Sequence, residues 1–140
     1  MMVLVDTPVW SLSLRRKAID LSRSERRITQ SLYELVRQRQ VKLLGSTRQE
    51  VLSGIREESQ FLRIRDHLRA FPNVELDASN YEEAARAANR CIRGGIAGSN
   101  ADLLMCTVAV RYSWQIFSTD RDFTHYRQVF PIKLFQPSQG

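Results

Sequence analysis

The chain has 140 residues, 43% hydrophobic and 26% charged, with a net charge of +6. Those values suit one domain that buries a single core, and they exclude a disordered or fibrous chain. No apolar run approaches the roughly 20 residues that span a bilayer, and MMVLVDTPVW lacks the basic start of a signal peptide, so neither a membrane nor export is expected.

In chain order, residues 2–5 (MVLV) read as a strand ending at Asp6, and Thr7-Pro8 then opens a short helix to about Leu14. Ile28, Leu32, Leu35 and Val36 form a helical stripe over 24–38. Residues 41–44 (VKLL) are strand-like, and Ser46 with Gln49 resembles a capping box for a helix running to about Gly54. Phe61, Ile64, Leu68 and Phe71 mark another helix, which Pro72-Asn73 breaks. Residues 74–76 are a brief third strand candidate. Ser79 with Glu82 suggests a second capping box, opening a helix that stops at Gly94-Gly95. The segment ADLLMCTVAVRY is apolar nearly all round, the pattern of a helix buried on more than one side. A fourth strand at 115–118, a short helix over 121–126 and a fifth strand at 132–135 complete the series. Strands alternating with helices predict an α/β domain over 1–136, its sheet mostly parallel and wrapped on both faces, with a frayed tail at 137–140. Cys91 and Cys106 show neither CxxC nor Cys/His spacing, which fits a reduced, cytoplasmic protein without a disulfide framework or zinc site.

In such folds ligands sit beyond the carboxyl ends of the strands, so the acids placed there carry the chemistry. Asp6 follows the first strand and Asp120 the fourth. Glu50 falls in the first turn of the helix after the second strand, and Asp102 in the first turn of the buried helix leading to the fourth. Each has a purely structural reading: Asp6 or Asp120 as a helix cap, Asp102 as the partner of a cap at Ser99, Glu50 as a solvated helix residue. One observation works against four separate explanations, namely that all four acids fall at the same end of the sheet. Carboxylates gathered there repel one another unless a cation or protons compensate, and oxygen-only ligation suits Mg²⁺ or Mn²⁺, metals that serve phosphate chemistry.

The stretches that carry these acids also carry a likeness. VLVDTPVW, RQEVLSGIR at 48–56, GSNADLLMCTVAVRYSWQIFSTDRDF at 98–123 and the closing FPIKLF together resemble the PIN-domain nucleases, in particular the VapC-type toxins of bacterial toxin–antitoxin pairs. The resemblance implies a PIN-like three-layer α/β/α sandwich with strand order 3-2-1-4-5. It implies an Mg²⁺- or Mn²⁺-dependent endoribonuclease, a cognate antitoxin that occludes the site, and a homodimer. By position it makes Asp6, Glu50, Asp102 and Asp120 the catalytic, metal-holding quartet and adds Asp122 as a further candidate ligand; Ser118 stands where the family often has threonine. A bound metal activates water for attack on phosphate, so no histidine is required, and His67 and His125 read as surface residues.

Eighteen of the 21 basic residues are arginine, and Arg15, Arg16, Lys17 and Arg121 are the candidates for an RNA track. Trp10 and Trp114 read as core rather than as stacking platforms. A phosphoacceptor receiver domain would need paired acids after the first strand, and a haloacid-dehalogenase-type phosphatase a second Asp at the position of Pro8; Asp6 stands alone. The alternative that remains is a non-catalytic PIN-fold module that only binds RNA or protein.

Overall fold

The structure is a computed structural model, and it describes residues 1–137. The expected tail at 137–140 therefore lies, from residue 138 onward, outside the described residues. Four strands form: β1 (Val3–Val5), β2 (Val41–Lys42), β3 (Gln115–Phe117) and β4 (Lys133–Leu134). Among them run seven α-helices: α1 (Thr7–Arg15), α2 (Arg23–Arg37), α3 (Gly45–Leu52), α4 (Glu58–Leu68), α5 (Ala78–Arg93), α6 (Asn100–Tyr112) and α7 (Asp122–Tyr126).

The sheet is parallel throughout, in the order β2-β1-β3-β4. Val3 pairs with Val41 on one side and Gln115 on the other, which makes β1 the centre. A strand buried on both faces reads as a continuous apolar run, and Val3, Leu4 and Val5 are all buried. The pleat sends successive side chains to opposite faces, and the molecule has two cores accordingly. Val3, Val5 and Phe117 join Val9 and Trp10 of α1, Leu32 and Leu35 of α2, Val51 of α3, and Ile64 and Leu68 of α4. Leu4 and Ile116 join Ala87 and Cys91 of α5, Leu103 to Ala109 of α6, and Phe123 and Tyr126 of α7. Helices thus cover both faces of the sheet. α6 has seven consecutive buried residues, Leu103 to Ala109, because α5 covers the side that the sheet does not.

Three expectations need correction. Residues 74–76 form no strand: Asn73 makes one parallel bridge to Leu43, and the Val74 amide donates to the Leu43 carbonyl at 2.9 Å. Pro72 has no amide to extend the ladder on one side, and Asp77 already caps α5 on the other. The five-stranded order 3-2-1-4-5 is therefore not formed; the four strands present stand as 2-1-4-5 in that numbering. The boxes expected at Ser46–Gln49 and Ser79–Glu82 also do not form. α3 starts two residues earlier, with Leu44 at its N-cap and no capping side chain, and α5 starts with a box between Asp77 and Asn80.

Candidate metal centre

Parallel pairing of β1 with β3 brings the chain after Val5 beside the chain after Phe117. Asp6 is the first residue there. Its amide donates to the Phe117 carbonyl, and its carboxylate caps α1 by accepting from the Thr7 amide at 2.8 Å. The second oxygen accepts from the Ser118 hydroxyl at 2.7 Å. Ser118 Oγ in turn accepts from the Asp120 amide at 3.0 Å, so one hydroxyl ties the two strand ends together. Asp6 is buried, and desolvation raises its pKa from 3.8 to about 6 against the lowering effect of the Ser118 and Thr7 hydrogen bonds; the charges of Asp102 and Glu50 raise it further.

α6 begins at the same rim. Ser99 caps it by accepting from the Asp102 amide at 3.1 Å. The Asp102 carboxylate is nonetheless not spent on the cap: its Oδ2 accepts from the Tyr126 hydroxyl at 2.9 Å. Its pKa is also raised, first by burial, then by the charges of Asp120 and Glu50, with the Tyr126 and Ser99 hydrogen bonds opposing. Asp120 accepts from the Asp122 amide at 2.9 Å, which turns the loop into α7. One carboxylate oxygen from each of Asp102, Asp120 and Asp122 lies within 4.8 Å of the other two.

The rim thus brings together Asp102, Asp120 and Asp122 most closely. Asp6 and Glu50 border that trio and interact with it through charge. Because α3 starts at Gly45, Glu50 stands in its second turn rather than its first, and it is exposed. Asp122, expected as a lesser acid, is a full member of the trio. Among the described residues no Lys or Arg ion-pairs with any of the five. A set of carboxylate oxygens without a basic partner fits a hard divalent cation, with Asp102, Asp120 and Asp122 able to hold it and Asp6 and Glu50 able to complete its surroundings.

Tyr126 was not among the expected residues. Its signal in the sequence is slight: Phe123 and Tyr126, three apart in DFTHY, share a buried helical face, and a buried tyrosine hydroxyl needs a partner. The loop passes the ring so closely that a Cβ on Gly98 would come within 3.2 Å of both Tyr126 and Leu103. Of the expected RNA track, Arg121 adjoins the trio. Arg15, Arg16 and Lys17 lie at the far end of α1, roughly 13 Å along the helix from Asp6 at 1.5 Å per residue. Arg16 is already engaged by the Asp20 carbonyl and by Glu25. Trp10 is core, its Nε1 donating to the Val5 carbonyl, and Trp114 is half-buried between Tyr112 and Lys42. His67 and His125 are exposed. No helix among the described residues is long and apolar enough to cross a membrane.

No family model matches the chain, and no curated protein matches it. Solved structures do. A chain in the crystal structure of FitAcB from Neisseria gonorrhoeae is 18% identical, with 97% of this chain and 98% of that chain covered and a TM-score of 0.74. A chain in VapBC2 from Rickettsia felis, bound to a DNA fragment from their promoter, is 12% identical, with 96% and 98% covered and a TM-score of 0.71. Likeness from end to end at such low identity establishes that this chain shares the α/β fold of those two chains.

Proposed function

We propose that the chain is a metal-dependent endoribonuclease toxin that hydrolyses RNA phosphodiester bonds and is restrained by a cognate antitoxin. The observation that carries this reading is the five-acid rim without a basic partner, built at the strand ends where an α/β fold places its ligands. Asp102, Asp120 and Asp122 would hold Mg²⁺ or Mn²⁺, with Asp6 and Glu50 completing the centre. When bound, the cation neutralises charge on the scissile phosphate and polarises it for hydrolysis.

The chain's own residues do the positioning. Tyr126 fixes Asp102 from behind, and Ser118 fixes Asp6 and the backbone of Asp120 together. The exposed Glu50 orients the attacking water and accepts its proton at a carboxylate oxygen. The VapBC2 likeness agrees with the VapC-type motifs and supports an antitoxin partner; the homodimer rests on those motifs alone. Its two free cysteines, Cys91 and Cys106, fit the reducing cytoplasm in which such a nuclease would act.

Cleavage of a mixed RNA by purified protein with Mg²⁺ or Mn²⁺, against EDTA and Asp102→Asn, tests the reading. Cutting is expected only in the first, with the fold of the variant unchanged by circular dichroism. No cutting on any RNA, together with no metal binding by calorimetry, would instead support the non-catalytic module.

A further inference from the structure

α5 has two exposed flanks of opposite character. Its buried stripe is Asn80, Ala87 and Cys91, bordered by the half-buried Ala84 and Ala88. To one side lie Tyr81, Ala85 and Ile92, with Tyr81 and Ile92 57% and 74% exposed. To the other lie Arg86, Asn89, Arg90 and Arg93, which with Glu83 line an open cleft of about 270 Å³. The pattern follows from 3.6 residues per turn, since 86, 90 and 93 repeat at i, i+4 and i+7 on one face.

The basic flank leads to the acidic rim. α5 and α6 are antiparallel, the Arg111 guanidinium at the end of α6 donating to Ser79 at the start of α5 at 2.9 Å. The Arg93 end of α5 therefore lies beside the start of α6, where Asp102 stands. Arg90 rests over the Phe130 ring at 5.1 Å from its centroid, and the Phe130 amide bonds back to the carbonyl of Tyr126, the residue that holds Asp102. Of the three arginines only Arg90 has an acidic partner among the described residues, Glu83 at 3.7 Å, on an exposed pair.

We infer that the Arg86–Arg90–Arg93 flank of α5 is the track along which the backbone of a single-stranded RNA runs to the metal centre. This deepens the nuclease reading and rests on it for the destination of the strand. Guanidinium forks match phosphate oxygens in pairs, and three on one helix face with a side-chain amide between them present donors to a backbone of acceptors. A protein partner would want apolar or aromatic anchors at the centre of its footprint. On the helix itself this flank has none, its apolar neighbours Phe130 and Val129 being packed against the core behind Arg90; the opposite flank has Tyr81 and Ile92 exposed.

The test is the affinity of a labelled 12-nucleotide single-stranded RNA, read by anisotropy between 50 and 200 mM KCl with EDTA present, so that no cleavage is needed. The proteins are wild type, Arg86→Gln/Arg93→Gln, and Arg23→Gln/Arg26→Gln as a control of equal charge on α2. The α5 pair is expected to bind about tenfold more weakly at low salt. Its salt slope should shrink by about 1.4, at ~0.7 for each phosphate of a single strand that is no longer neutralised, while the control keeps the wild-type slope. Equal weakening in both pairs, an unchanged slope, or no binding by wild type would each overturn the track. So would loss of binding to an acidic peptide alone, which would make the flank a protein-docking face. Track-dependent binding by a protein that never cuts RNA with metal would leave this inference standing and remove the nuclease.

Discussion

Arg48 and Glu50 stand two residues apart on α3, in opposite circumstances. The Arg48 guanidinium donates to Asn73 Oδ1 at 2.8 Å, to the Leu68 carbonyl at 3.0 Å and to the Phe71 carbonyl, closing the end of α4 and the bridge beside β2. Glu50 faces the like charges of Asp6 and Asp102 and raises the pKa of both. One charge is satisfied by the fold; the other is left in conflict with its neighbours. A polar group that supports the scaffold is surrounded by its complements, whereas the rim gathers groups that need something the chain does not supply.

That contrast can be broken in four places. Asp102→Asn leaves the scaffold intact and removes a central ligand, so metal-dependent cleavage should fall at least 10²-fold, about 2.7 kcal/mol of barrier, with melting no earlier than wild type, since a burdened carboxylate is also removed. Arg48→Ala does the reverse. It leaves the Phe71 carbonyl without its guanidinium donor, while the Leu68 carbonyl keeps the Phe71 amide, and should cost about 1–2 kcal/mol in urea unfolding; a change under about 0.5 kcal/mol would show that the clamp holds nothing.

Asp6 belongs to both regions, as cap and as acid. Its folded pKa lies near 6 against 3.8 unfolded, so between those values the folded state keeps a proton that the unfolded state has released. Stability of the metal-free protein therefore falls as pH rises through that window, by up to ~3 kcal/mol at 1.36 kcal/mol per unit. Asp6→Asn should flatten this slope and unfold at higher urea than wild type at pH 7; an identical pH profile would show that burial does not burden the carboxylate. The smallest effect is expected at Asp66, whose exposed pairing with Arg65 is solvent-screened: Asp66→Asn should shift stability by less than about 0.5 kcal/mol.

Much of this arrangement can be read along the chain, because its signals are local. β1 and α6 announce themselves through unbroken apolar runs, and Asp6 and Asp120 through their places just after strands. Residues 74–76 mislead because a short β-like run says nothing about the Pro72 and Asp77 that confine it. The cap of α5 shifts because Asp77 and Ser79 offer similar chemistry two residues apart, and α3 starts from Leu44 with no capping side chain at all. Tyr126 meets Asp102 across 24 positions, and the value of Asp122 depends on a turn that closes only in three dimensions. The arginines of α5 carry no motif; their meaning comes from α6 lying antiparallel beside them.

The bond between Ser118 and Asp6 joins residues 112 positions apart. Seen from the ribosome, this gives the molecule a late fuse. Asp102, Asp120 and Asp122 are all translated after α5, and Asp6 must wait for β3 before its carboxylate is held. A nascent chain halted after α5 would have completed most of one core and none of the trio. For a nuclease of the proposed kind, the metal centre is complete only once the segment from α6 to α7 has been made.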